Sequence, residues 1–333
     1  MAKSCIQWGI VSTGKISHDF TVCLRSLPQT EHRIVAVAAR NKSSAEKFAK
    51  LHQIPKAYSS YAELAKDPEV QVAYVGTINT EHLNAAKIII ENGKHLLLEK
   101  PMTLNLKHTK EVIALAKKKN VFLMEAIWSR FFPSYKFMLE QLKQIGTIHY
   151  VSADFGKKVA DVDRVAKKEY GGGTVLDLGV YCINLVLMAF GGERPVEIKA
   201  VGILNEHGVD TSIAANLKFP NGKLAQISTG SWVDLPCEAH IVGTKGTIKL
   251  MAPMHCTERV VVNNKVHEFP LPETVLPCNF QNSSGLRYEA MEVRRCLLNG
   301  IKESPFLTHA DSMLIAEIQD EIRKQVGVVF PDD

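Results

Sequence analysis

The stretch that decides the fold is Cys5-Ile6-Gln7-Trp8-Gly9-Ile10-Val11-Ser12-Thr13-Gly14-Lys15-Ile16-Ser17. It runs from a short apolar segment, through a turn of small residues, into a helical pattern. A short and almost continuously apolar run is what a strand covered on both faces requires. Small residues at the turn let backbone N–H groups at the helix start come close to a phosphate. Where the dinucleotide-binding fingerprint G-x-G-x-x-G carries glycine, this chain has Ser12, Gly14 and Ser17. On these residues alone a plain strand–turn–helix fits equally well, and the sequel carries the reading further.

Outward from this turn, Arg33 to Ala39, Val70 to Thr77, His95 to Glu99 and Val121 to Ala126 are further short apolar runs. Helical patterns lie between them, at Lys15 to Leu27, Ser44 to His52, Glu81 to Asn92 and Asn105 to Lys119. Ser43 or Ser44 can cap the second helix, and Asn92-Gly93 can stop the third. This alternation predicts an α/β Rossmann domain, a doubly wound parallel sheet, over residues 1–126.

Beyond it the pattern changes. Phe131 to Leu142 and Val175 to Phe190 read as helices. Short alternating strands follow at Glu197 to Ile203, Asp210 to Phe219, Lys223 to Val233, Ala239 to Gly243, Gly246 to Met251 and Val260 to Val266. Turn signals include Pro220-Asn221-Gly222 and Asn263-Asn264, and helices at Tyr288 to Asn299 and His309 to Val326 close the chain. Residues 127–333 are therefore expected to form an α+β domain with a large, mostly antiparallel open sheet. Helices on one face would leave the other face for a partner, so an isologous homodimer through this sheet is expected.

The length of 333 residues suits two domains, and 46% hydrophobic with 23% charged residues is an ordinary globular composition. The net charge of +5 comes from scattered lysines such as Lys117, Lys118 and Lys119, with no aromatic residues between them. That is a solvated helix surface rather than a nucleic-acid site. No apolar run reaches the roughly 18 residues of a membrane span, and Met1 to Gly9 lacks the basic start and apolar stretch of a signal peptide. A cytoplasmic location without membrane contact is expected. The seven cysteines are odd in number, form no CxxC and share no zinc-ligand spacing with histidine, which reads as reduced, partly core-filling thiols and no metal site.

Three clusters carry chemistry. The second strand ends in Ala39-Arg40-Asn41-Lys42, where an NAD-preferring fold has Asp or Glu. The planar donor Arg40 suits the 2′-phosphate of NADP, which a carboxylate would repel. Gly93 to Pro101 ends in Glu99-Lys100-Pro101, placing a charged pair at the carboxyl edge of the sheet, where ligands bind. Lastly, Gly171-Gly172-Gly173 frees the chain before a helix in which Asp177 and Tyr181 are four apart and so share a face.

"GKHLLLEKP" and "GGGTVLDLGVYC", following a glycine-poor fingerprint, resemble the family of glucose–fructose oxidoreductase and inositol dehydrogenase over the whole chain. The resemblance implies an NADP-dependent dehydrogenase whose catalytic centre is Lys100 and Tyr181 with Asp177 beside them; many relatives carry histidine at the Tyr181 position. It further implies cofactor contacts from Ser12, Thr13, Gly14, Lys15, Ile16, Arg40, Asn41, Thr77, Asn79, His82, Glu99, Lys100, Pro101, Trp128 and Arg130, and substrate contacts from Trp128, Phe155, Asp177, Tyr181 and Phe280. The aromatics read equally as core residues, and His82 by itself reads as a helix-start histidine with no special role. "WGIVSTGKIS", "VAVAAR", "FLMEAIWSRFFP", "GTKGTI" and "EFPLP" resemble the members acting on vicinal diols of arenes and on free aldoses. Ser44 departs from them, standing where a second arginine is expected. Another sugar, an inositol or an anhydro-ketose is the alternative substrate, and a non-catalytic NADP-binding protein the alternative class.

Overall fold

The computed structural model describes residues 5–331 and 333, which form two compact units. The first comprises residues 5–103, 108–131 and 271–309. Its six-stranded sheet has the order β3-β2-β1-β4-β5-β6. The strands are β1 (Ile6–Val11), β2 (His32–Ala38), β3 (Lys56–Tyr58), β4 (Val72–Val75), β5 (His95–Glu99) and β6 (Leu123–Ala126), and all five pairings are parallel. The helices between them are α1 (Lys15–Arg25), α2 (Lys42–His52), α3 (Tyr61–Lys66), α4 (His82–Glu91) and α5 (Leu106–Lys119). β4 and β6 are buried at every residue, as apolar strands under helices on both faces must be. The order reverses between β1 and β4, and ligands of such sheets bind outside the strand ends at that reversal.

The second unit comprises residues 104–107, 132–270 and the chain from Ala310 onward. It contains α6 (Pro133–Gln141), α7 (Asp163–Ala166) and α8 (Val180–Ala189), and an eight-stranded sheet in the order β14-β13-β12-β11-β7-β10-β9-β8. Its strands are β7 (Ile148–Gly156), β8 (Glu197–Leu204), β9 (Asp210–Phe219), β10 (Lys223–Gly230), β11 (Ala239–Gly243), β12 (Gly246–Leu250), β13 (Arg259–Val262) and β14 (Lys265–Glu268). Only β7 and β10 pair in parallel. β9 shows what one covered face does: Ile213, Ala215, Leu217 and Phe219 are buried while Ala214, Asn216 and Lys218 are exposed. Helices α9 (Arg287–Leu298) and α10 (His309–Val326) end the chain.

Four expectations need correction. The units are interleaved rather than divided at 126/127, because residues 271–309 pack with the parallel sheet's unit. Val260 to Val266 is two strands, since Asn263 and Asn264 both take positive φ and turn the chain into a hairpin. The central strand β7 went unread, as did β3 and α3, which are too short for a periodic signal. The cap of α2 is Asn41, whose side chain accepts the Ser44 N–H at 3.1 Å, so neither serine serves as the cap. The segment Lys168–Ala189 is long and apolar enough for a membrane helix by composition, yet 94% of its apolar window is buried inside the protein, as in a core helix.

Candidate active site

The dinucleotide turn is built by side chains standing in for glycines. Ser12 adopts φ +95°, a left-handed conformation that favours glycine, and its Oγ accepts the Gly14 N–H at 3.1 Å. Gly14 precedes the first residue of α1, and no side chain caps that end. A Cβ at Gly14 would meet Ser12 Oγ at 3.4 Å and the Gly76 carbonyl at 3.9 Å, both ordinary contacts. Open first-turn amides beside a tight turn are a ready site for a diphosphate. The third fingerprint position has traded places with a distant one. Ser17 is buried where glycine would allow close helix–strand approach, and Gly76, just after β4, supplies the room instead. A Cβ on Gly76 would lie 2.6 Å from Ser17 Oγ.

Arg40 and Lys42 are exposed after β2; burial raises the pKa of Tyr61, and the charge of Arg40 offsets part of that rise. Asn41 spends its side-chain oxygen on the helix cap. His82 is fully buried. Its Nδ1 lies 2.8 Å from the Pro101 carbonyl and its Nε2 3.2 Å from the Thr77 carbonyl, and burial lowers its pKa. It therefore ties the loop after β5 to the loop after β4, where Asn79 opens a single 3₁₀ turn, Asn79–Glu81.

The turn that presents half-buried Lys100 is held from beneath by carboxylates. Glu99 accepts the Tyr74 hydroxyl at 2.6 Å and the Lys100 backbone N–H at 3.1 Å, and Glu125 on β6 accepts the Met102 N–H at 2.8 Å. Glu289 on α9 is fully buried, and burial together with the charge of Glu99 pushes its pKa well above the usual carboxylate range. Trp128 and Arg130 lie in a buried 3₁₀ turn, Trp128–Phe131, and Arg130 Nη1 donates to the Phe306 carbonyl at 2.9 Å. Phe280 is 41% exposed on a loop whose backbone is fixed to α1.

In the second unit the structure brings Phe155 and Tyr181 together, and Asp177 is buried one turn before Tyr181 in the chain. Tyr181 on α8 lies 5.8 Å, between ring centroids, from Phe155 at the end of β7. Both contact His255, which stacks on Phe155 at 4.2 Å and meets Tyr181 at 5.1 Å. Asp177 pairs with Arg164 at 2.9 Å. Asp177 does not sit on an ordinary helix turn. Val175–Gly179 is a π-helical turn continuous with α8, a feature frequent at functional sites. The segment is started by buried Asp210, whose Oδ2 accepts from Thr174 Oγ1 at 2.6 Å and from the Val175 N–H at 2.8 Å. Burial raises the Asp210 pKa against these bonds. Gly173, at φ +113°, leaves no room for a Cβ against the Asp210 carboxylate, which explains why the glycine run ends there.

Glu125, Glu289, Arg164, Asp210 and His255 escaped the sequence reading. Glu125, Asp210 and Glu289 lie in stretches read only as strand or helix and Arg164 and His255 in none, and each acts on residues of other segments with no local pattern.

Known proteins match this arrangement. Residues 6–127 match the model of an oxidoreductase family with an NAD-binding Rossmann fold, and residues 139–249 match the GFO/IDH/MocA C-terminal domain. The chain is 50% identical over 330 residues to the trans-1,2-dihydrobenzene-1,2-diol dehydrogenase of Danio rerio, covering 98% of this chain and 99% of that one. It is 44% identical over 330 residues to the Homo sapiens protein of the same name, with the same coverage. Among solved structures, a levoglucosan dehydrogenase in complex with NADH and levoglucosan superposes with a TM-score of 0.84 at 18% identity, covering 97% of both chains, which shows the shared fold. A 3-ketoreductase from Actinomadura kijaniata, solved with NADP, superposes with a TM-score of 0.81 at 20% identity, covering 97% of this chain and 98% of that one. With the turn, the reversed strand order and the Lys100 and Tyr181 motifs in place, the chain belongs to the GFO/IDH/MocA oxidoreductase family and is a dehydrogenase on a dinucleotide-binding Rossmann fold.

Proposed function

We propose that this dehydrogenase uses NADP and takes hydride from a carbinol carbon of trans-dihydrodiols of arenes, giving catechols, and from the anomeric hemiacetal carbon of D-xylose-like aldoses, giving lactones. The aromatic cluster of Phe155, Tyr181 and His255 carries the reading, because it sets an acid–base hydroxyl in an apolar wall that suits a ring-shaped diol. The name borne by the relatives supports it. Ser12 to Ile16 and the uncapped start of α1 would hold the diphosphate, and Arg40 the 2′-phosphate. When bound, the oxidised nicotinamide supplies the hydride acceptor. Tyr181 takes the substrate hydroxyl proton, and the Lys100 ammonium is assigned to favouring the phenolate, since a tyrosine near its reference pKa of about 10 is a weak base at neutral pH. Asp177, paired with Arg164, orients the substrate from the same helix segment.

The purified protein with NADP+ or NAD+ and a panel of trans-dihydrodiols and pentoses tests this at the NADPH absorbance band. Turnover of diols with NADP+ is the expected result. Activity confined to inositols or other sugars would replace the substrate assignment, and preference for NAD+ would replace the cofactor assignment. The exposed outer face of β9 and β10, with Ala214, Asn216, Leu224 and Gln226, is assigned to an isologous homodimer, which sedimentation of a monomer would refute.

A further inference from the structure

The loop from Leu271 to Leu286 lies far from α1 in sequence but is fastened along one face of it. Val275 N–H donates to Ser26 Oγ at 3.1 Å, and the Cys23 thiol reaches the Ser283 carbonyl at 3.0 Å. Asn279 donates both its backbone N–H and its Nδ2 to Asp19 Oδ1, each at 2.8 Å, and Phe280 N–H donates to Asp19 Oδ2 at 2.9 Å. Asn279 Nδ2 also lies 3.3 Å from the Lys15 carbonyl, in the first turn of α1. The helix partners Lys15, Asp19, Cys23 and Ser26 follow the spacing of a single helix face. Buried Arg287 holds the two limbs of the loop together, donating to the Glu273 carbonyl at 2.8 Å and the Ser284 carbonyl at 3.0 Å.

The loop is thus a strap whose apex, Asn279 and Phe280, is exposed beside the phosphate-facing end of α1. Asp19 is fully buried, and a buried carboxylate is costly unless it is hydrogen-bonded. The strap supplies three of its donors in the closed position. Lifting the strap would strip them, so this one side chain couples the loop's position to the helix.

We propose that Asp19 is a positioning residue that holds Asn279 and Phe280 over the first turn of α1, so that the strap closes on bound dinucleotide and must lift for it to leave. The proposal rests on the NADP reading above. The ligand class is the dinucleotide, and the step affected is its release.

Release of NADPH from the whole protein, followed by stopped-flow displacement of its fluorescence, tests this alongside hydrogen exchange of the Phe280 amide. Asp19→Asn keeps the size but loses one acceptor oxygen. Its dissociation rate should rise about tenfold, the low end for a hydrogen bond to a charged group, with the association rate little changed and the Phe280 amide exchanging faster. Asn279→Ala, at an exposed residue that keeps Asp19 and both backbone bonds, should give a smaller rise and keeps the test open if Asp19→Asn folds poorly. A faster-exchanging Phe280 amide with unchanged release would overturn the proposal, as would unchanged exchange of that amide in Asp19→Asn. Wild-type protein that binds NAD+ but not NADPH would instead strike the cofactor assignment, and the same release measurement on NADH would then judge the strap.

Discussion

Lys100 and Tyr181 carry the proposed chemistry on opposite kinds of scaffold. Lys100 directly follows a parallel strand, and its own N–H and that of Met102 are held by carboxylates from that strand and the adjacent one, Glu99 and Glu125. Tyr181 follows a π-helical turn started by Asp210, 36 residues beyond Thr174, and its ring packs on Phe155 and His255 from two other segments. A turn at a strand end inherits the rigidity of a sheet buried on both faces. A helix start on a one-sided sheet has to be fixed by side chains gathered from elsewhere. Damage to the supports of the second scaffold should therefore disturb chemistry while leaving the dinucleotide half intact.

The largest test removes the chemistry itself. Tyr181→Phe keeps the ring contacts but loses the proton carrier, and kcat should fall by about 10²–10⁴-fold with NADP+ binding nearly unchanged. Lys100→Met should give a similar fall and move the pH optimum upward, because the phenolate loses its favouring charge. Near-normal turnover by Tyr181→Phe in steady-state kinetics would remove tyrosine from the mechanism.

The dinucleotide half is probed by Arg40→Asp. Losing a charge-assisted bond and gaining a repelling carboxylate should weaken NADP+ by about ten- to a hundredfold and relatively favour NAD+. Titration at rising salt should shrink the loss, because screening weakens exposed charge contacts. Unchanged NADP+ affinity would move the 2′-phosphate to another group, Lys42 first.

Asp210→Ala sharpens the comparison. It removes the acceptor for Thr174 and the Val175 N–H, and loss of such a cap costs about 1–2 kcal/mol. Thermal unfolding should report the loss, and kcat should fall more than NADP+ affinity does. Equal losses in both would mean the two scaffolds are not supported separately.

The smallest expected effect is on pH-dependent stability. Glu289 has a folded pKa raised by burial and by Glu99, so the folded protein holds a proton that the unfolded chain releases near about 4.3. The stability this contributes is present below that value and is lost as pH rises toward the raised folded pKa. Glu289→Gln cannot ionise, and melting temperatures from acid to neutral pH should fall less steeply in the variant than in the wild type. Parallel slopes would show that another group binds the proton.

Read from the chain alone, the parallel sheet was nearly complete, because a strand covered on both faces must be continuously apolar whatever its neighbours are. Glu99-Lys100-Pro101 and the glycine run before Asp177 and Tyr181 were legible for a similar reason, each motif being contiguous. The tertiary structure alone decided the rest. It returned residues 271–309 to the first unit, split the hairpin at Asn263-Asn264 and placed β7 at the centre of its sheet. It also recruited Asp210, His255, Glu289 and Asp19, through buried bonds, ring contacts or charge interactions with segments distant in sequence. Periodicity records which face of an element is covered, whereas a contact made once between distant segments leaves no repeating mark in the sequence.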